Sequence, residues 1–357
     1  MSVVFKNITL EHADEWDKIV TSFKRYDVYY LSGYVKGFQI HGDGVPHLLY
    51  YESDGLRMIN VVMQRDVADC APFKNVLPTN TYFDITTPYG YGGFLFEGTV
   101  TDDSLNTFAQ VYTQYMREQG IISEFVRYHP ILRNAETVQQ IFPVYKGGST
   151  VDIDLTSEDI IWNNLTVKNR TQIRKALNFG VEVKHGTGMD LMEQFIHIYN
   201  ATMDKDAAKP YYYFEKDFYR SICEDLQGHH ELFYAIYEGE IVSMSVVLYA
   251  NTQMHFHFLG SLERYGYFAP SNLLIYEAIC WGSRMGLQTA HLGGGVGARA
   301  DDLYRFKHVF NRNASVYAFF GNNIYMQDKY DKLVQKRKEL DATFLPENDF
   351  FPQYRHS

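Results

Sequence analysis

Tyr265-Gly-Tyr-Phe-Ala-Pro-Ser-Asn-Leu-Leu-Ile-Tyr-Glu-Ala-Ile279, continued through Trp281 and Gly286 to Thr289-Ala-His-Leu-Gly-Gly-Gly-Val-Gly297 and Asp301-Asp-Leu-Tyr-Arg-Phe-Lys-His-Val-Phe310, decides the fold of this chain. Pro270 and Ser271 predict a helix start, because proline suits a first turn and a serine hydroxyl can cap free amides. Leu274, Ala278, Trp281 and Met285 recur at helical spacing, and Gly286 is a natural left-handed stop. Thr289–Leu292 reads as a short strand, and the glycines after it let backbone approach a ligand closely. Leu303, Phe306, Val309 and Phe310 form the stripe of a second helix with Lys307 on its flank. Helix, strand, glycine turn and lysine-bearing helix together make a ligand-holding corner.

Working outward, the 357 residues predict two domains, and 46% hydrophobic residues suffice for two cores. Two hairpins echo one another, opened by Leu49-Tyr-Tyr-Glu-Ser-Asp-Gly55 and Phe233-Tyr-Ala-Ile-Tyr-Glu-Gly239. Each leads to a glycine-rich aromatic segment, an amphipathic helix ending in glycine (Gly120 or Gly286) and another strand. This order predicts an internally duplicated α/β protein with mixed α+β sheets. The expected division is 1–146, 147–345 and a loosely held tail, 346–357. A single long helix is expected over 157–179, and a loop-strand segment over 27–40.

The net charge of −10 argues against a broad nucleic-acid-binding surface. Cys70, Cys223 and Cys280 are scattered without metal-ligand spacing, so they read as reduced packing residues. His255 and His257 alternate on one strand without an acidic or cysteine partner, so a metal is not expected. No apolar run reaches membrane-span length, and the start of the chain lacks a signal-peptide layout. Cytoplasmic residence follows, with contact to a membrane only at its surface. Lys168-Asn-Arg-Thr-Gln-Ile-Arg-Lys175 places Arg170 and Arg174 one helical turn apart, a spacing that can grip a phosphate. Such a run is equally a solvated face.

Pro270, Glu277-Ala-Ile279, Gly293-Gly294 and Leu303-x-x-Phe306-Lys307-x-x-Phe310 resemble the Fem family of peptidoglycan bridge aminoacyltransferases. In the first half, Pro88-Tyr-Gly-Tyr-Gly-Gly93 and Arg127-Tyr-His-Pro130 with Asn134 are similar to segments of Fem-like proteins. The resemblance implies two tandem GNAT-like acyltransferase domains and transfer of an aminoacyl or acyl group to an amine of a cell-wall or cell-surface glycan precursor. It implies no bound cofactor, since aminoacyl-tRNA or acyl-CoA would be the donor substrate. Partners would be a phosphorylated or lipid-linked precursor and, for a tRNA donor, the charged tRNA, with no DNA. Lys307 is then the catalytic candidate, at an oxyanion or a donor phosphate. The substrate-binding set is Arg170, Arg174, Lys36, Tyr89, Tyr91, Arg127, His129, Gly293 and Gly294. Glu277, Asp301 and Asp302 are near in sequence and could take a proton. Two other functions stay open: an acyl-CoA-dependent N-acyltransferase acting on an amino sugar, and a degenerate pair that only binds a ligand or partner.

Overall fold

A computed structural model describes residues 3–346 and 350–356. The chain forms two units, residues 1–147 with 319–357, and residues 148–318. The first begins with β1 (Val4–Ile8), α1 (Ala13–Thr21) and α2 (Ser32–His41). The hairpin β2 (Val45–Ser53) and β3 (Leu56–Asp66) follows, and then β4 (Phe83–Thr86), β5 (Leu95–Gly98), α3 (Asp102–Glu118), β6 (Ile121–Tyr128) and the single turn α4 (Ala135–Val138). β2 and β3 turn through Asp54 and Gly55, both left-handed. β3 pairs antiparallel with β4, and β4 runs parallel to β6 across α3. Thr101 and Ser104 cap α3 reciprocally, and its Phe108, Tyr112 and Met116 pack on Leu49, Met58, Val62 and Val126.

The second unit repeats this order. Its strands are β7 (Tyr145–Asp154, which enters from residue 148), β8 (Glu182–Gly186), β9 (His230–Tyr237), β10 (Glu240–Ala250), β11 (Gln253–Ser261) and β12 (Thr289–Gly293). Its helices are α5 (Glu158–Asn164), α6 (Val167–Asn178), α7 (Met189–Lys205), α8 (Lys216–Asp225), α9 (Pro270–Arg284) and α10 (Asp302–His308). β9, β10 and β11 are antiparallel, and β11 meets β12 in parallel across α9. α9 lays Leu274, Ala278 and Ile279 on Val151, Ile153, Ala290 and Leu292 of the sheet. Gly120 and Gly286, each left-handed, end α3 and α9 before the parallel strand. A mixed α/β architecture of two similarly ordered units is what the duplicated order predicts.

The division of the chain differs from that expected. β13 (Val316–Ile324) pairs through Phe319–Ile324 with β6, and α11 (Gln327–Leu340) follows it in the first unit. Residues 319–357 therefore complete the first unit rather than extend the second to 345. Of the expected tail, residues 347–349 and 357 lie outside the described residues, and 350–356 are firmly held, with Tyr354 fully buried. Its hydroxyl donates to Asp84 Oδ2 at 3.0 Å, and Arg355 Nε donates to the same oxygen at 2.5 Å. Arg65 Nε donates to Asp84 Oδ1 at 2.7 Å. Burial alone would raise the Asp84 carboxyl, but the two guanidiniums more than reverse this and hold it below the usual range.

Two local expectations also fail. The long helix over 157–179 is α5 and α6, broken at Leu165-Thr166, because Thr166 is extended and its hydroxyl accepts from Asn169 N as a new cap. The segment 27–40 is mostly helical. Its glycines at 33 and 37 weaken helix propensity, but both are buried in α2 beside Tyr34 and Phe38.

Candidate functional site

In the second unit the glycine turn after β12 and the start of α10 are tied by one carboxylate. Asp301 caps α10 by accepting from Tyr304 N at 2.9 Å, and its other oxygen accepts from Val296 N at 2.8 Å. A Cβ on Gly295 would lie 2.1 Å from Asp301 Oδ1 and 2.2 Å from the Arg299 carbonyl, so only glycine fits. Lys307 reaches back over this turn and donates to the Gly294 carbonyl at 2.8 Å. Desolvation pulls its amine down from the ordinary lysine value to about 8, although the Asp301 charge opposes the shift. A cation so placed has one donor committed to backbone and others available for a developing negative charge. Phe310 is fully buried and anchors the helix, whereas Leu303 is 41% exposed and does not belong to the buried stripe.

The first turn of α6 is fastened to the same corner, since Thr166 N donates to the Val309 carbonyl at 3.0 Å. Asn311 Nδ2 donates to the Asp152 carbonyl at 2.7 Å, joining the end of α10 to β7. β11 and β12 share only three registered pairs, ending at His255–His291, so the parallel ladder stops short of the glycine turn. Arg170 is partly exposed and makes no ion pair among the described residues. Arg174 is exposed, and its guanidinium stacks over Trp162, 5.2 Å from the ring centre.

The first unit gathers Tyr89, Tyr91, Arg127 and His129. The loop Pro88–Gly92 leaves β4 and rejoins β6, where Gly92 N donates to the Arg127 carbonyl at 2.9 Å. Arg127 Nη1 donates to the Gly90 carbonyl at 3.2 Å. Tyr29 packs edge-on against Tyr34 and Tyr91, and Phe38 stacks on Tyr89 at 5.3 Å. Gly90 is left-handed, and a Cβ there would meet the Tyr29 ring at 2.5 Å. Burial pushes the Tyr91 phenol up to about 12 against the pull of Arg127, so it remains a donor at neutral pH. His129 is committed to the framework: Nε2 meets Asp27 Oδ2 at 2.9 Å, and Leu132 N donates to Nδ1 at 3.1 Å. Asn134 binds the His129 amide and the Gly92 carbonyl, each at 2.8 Å, locking the loop to the Arg-Tyr-His-Pro segment.

Residues 168–308 match the acetyltransferase (GNAT) domain family. A 150-residue stretch is 26% identical to the UDP-N-acetylmuramoylpentapeptide-lysine N(6)-alanyltransferase of Weissella viridescens, covering 41% of this chain and 43% of that enzyme. The crystal structure of FemX superposes with a TM-score of 0.67 at 14% identity, covering 92% of this chain and 99% of that one. The C-terminal domain of a putative lysylphosphatidylglycerol synthetase from Agrobacterium fabrum gives 0.53 at 12% identity, over 91% and 96% of the two chains. The chain shares the FemX fold and is similar to the alanyltransferase over less than half the length of either chain.

The expected residues fall into two groups. Gly293, Gly294 and Lys307 meet at one turn, with Arg170 on the helix fastened beside it. Tyr89, Tyr91, Arg127 and His129 meet around the loop of the first unit. Lys36 lies outside that group of buried side chains, for it is exposed on the side of α2 opposite Tyr34 and Phe38. Ser271 does not cap α9: Ala269, left-handed, is the cap residue, and the Ser271 hydroxyl bonds Ser243 Oγ at 3.0 Å. Asp301 is occupied by capping, and Asp302 is paired with Arg305 on an exposed turn. Burial raises the Glu277 carboxyl. Asp27, Tyr29, Tyr34 and Phe38 are missing from the expected set because an extended segment would not bring them together. The i,i+4 spacing of Tyr34 and Phe38 is the signal for a helix face.

Proposed function

We propose that this chain is an acyltransferase that moves an aminoacyl group from an activated ester to an amine of a peptidoglycan precursor. The desolvated Lys307 ammonium held over the Gly293–Gly297 turn carries this reading, supported by the GNAT match over 168–308 and the likeness to the alanyltransferase. The acceptor amine attacks the ester carbonyl, a C–N bond forms, and negative charge gathers on the carbonyl oxygen. Lys307 neutralises that charge, the C–O bond to the donor breaks, and the amine proton leaves with the departing alkoxide or to water. No protein nucleophile is needed; alignment and oxyanion stabilisation supply the rate.

The acceptor in this reading is a UDP-linked muramyl peptide, whose pyrophosphate meets Arg170 with Arg174 beside it. The donor is an aminoacyl-tRNA, and the setting is the cytoplasm, where charged tRNA and nucleotide-linked precursors occur together. A second reading, N-acylation from acyl-CoA, has the GNAT match in its favour. Incubation with alanyl-tRNA or acetyl-CoA, each with the UDP-muramyl pentapeptide, tests both. Acceptor-dependent loss of the aminoacyl ester supports the first. Acetylation of the precursor replaces it with the second.

A further inference from the structure

The exposed side of α6 carries two lysines, Lys168 and Lys175, that the transfer reaction does not use. Asn169, Ile173 and Ala176 mark its buried side. At about 100° per residue, Arg170 and Arg174 lie on one flank, and Lys168 and Lys175 lie on the other. The helix contains no acidic residue, and none of its four basic side chains forms an ion pair among the described residues. Large apolar groups stand exposed around them: Val167 at 69%, Leu177 at 53% and Phe179 at 42%. Tyr267, 68% exposed, packs edge-on against Phe179 and lies 3.3 Å beneath the Lys175 amine. Nearby acids are largely engaged, with Glu240 held by Arg264 and Tyr265. Glu263, in the turn that carries Tyr267, is the exception.

Unpaired lysines interleaved with exposed aliphatic and aromatic side chains fit an interface where charge meets hydrocarbon. A polynucleotide would pair with the cations but leave the aliphatic Val167, 69% exposed, facing water. We propose that the Val167-Lys168-Lys175-Phe179 side of α6, with Tyr267, docks this protein on the surface of an anionic lipid bilayer. The lysines meet lipid phosphates, and Phe179, Tyr267 and Val167 enter the headgroup layer. With a net charge of −10 the rest of the chain is repelled by such a surface, so the patch also sets orientation. This goes beyond the transfer reaction and does not depend on it.

The test is co-sedimentation of the full chain with phosphatidylcholine vesicles, with and without phosphatidylglycerol, beside K168E/K175E and F179S/Y267S. Wild type is expected to pellet only with anionic vesicles and to be released by salt. Loss of two lysines should weaken binding roughly 25-fold, at a factor of about five each; charge reversal adds to this. F179S/Y267S should weaken it without changing the salt dependence. Binding that is equal on neutral vesicles, absent from both, or unchanged in K168E/K175E overturns the proposal. So does lysine-dependent binding of uncharged tRNA by a chain that ignores vesicles. Transfer to a soluble precursor should be the same in K168E/K175E and wild type, so a failed transfer reading remains distinguishable.

Discussion

The Lys307 amine donates to the Gly294 carbonyl at 2.8 Å, which fixes a desolvated cation over a turn that cannot accept a side chain at Gly295. Desolvation leaves this amine with a pKa of about 8. Only the ammonium form can neutralise a developing oxyanion. Turnover should therefore fall as pH rises through about 8, and Lys307→Arg should move that alkaline limb upward, because a guanidinium stays charged. A pH–rate profile of both proteins checks this.

The same lysine has a stability consequence. Its folded pKa lies below the unfolded value, so burial of the charge costs stability below about pH 8. That cost is relieved as pH rises from about 8 toward the unfolded value. Lys307→Met should leave the melting temperature at pH 7 unchanged or slightly higher, while turnover drops on the order of a hundredfold. Thermal melts at pH 7 and pH 9 beside steady-state rates separate the two effects.

Gly295→Ala should remove transfer without unfolding the protein. The added Cβ collides with Asp301 Oδ1 and the Arg299 carbonyl, so the turn must open and the α10 cap must shift. A far-ultraviolet spectrum like wild type with lost turnover is the expected pair of results.

Arg170 and Arg174 should not contribute equally. Arg174 is stacked on Trp162, whereas Arg170 has no such ring partner and stands on the turn of α6 bonded through Thr166 to Val309. Arg170→Ala should weaken binding of the UDP-linked precursor about tenfold or more, by loss of a charge-assisted contact. Arg174→Ala should weaken it less. Calorimetric titration of the two variants decides the order.

How much of the fold and site was legible in the sequence depends on how local each signal was. The glycine corner was, because proline, glycine run and helix stripe lie within forty-six residues, Tyr265 to Phe310, and each constrains its neighbour. The repeated hairpins were legible for the same reason, through Asp54-Gly55 and Glu238-Gly239. Asp84 was not, because its partners Tyr354 and Arg355 are about 270 positions away and nothing near Asp84 announces them. Nor was the break at Leu165-Thr166, where a cap and the carbonyl of Val309 outweigh continuous helix propensity. Glu124 shows the same blindness: a carboxylate read as part of an ordinary strand is buried and accepts from Asn60, Tyr112, Asn323 and Tyr325.

The Asp84 cluster makes its own prediction. Its carboxyl is held below the ordinary range, so the stabilisation is present above the unfolded pKa and is lost as pH falls through the folded one. Asp84→Asn leaves Arg65 and Arg355 without their shared anion and should cost about 3–5 kcal/mol. Truncation before Phe350 should destabilise comparably by removing Tyr354 and Arg355. Urea melts at pH 7 measure both.

Aminoacyl transfer assisted by Lys307 is tested most directly by single-turnover consumption of alanyl-tRNA in the presence of UDP-muramyl pentapeptide. The expected result is rapid, acceptor-dependent loss of the ester with an alanylated precursor as product, slowed on the order of a hundredfold in Lys307→Met. Equal rates in the two proteins, or no acceptor-dependent loss in wild type, would contradict it.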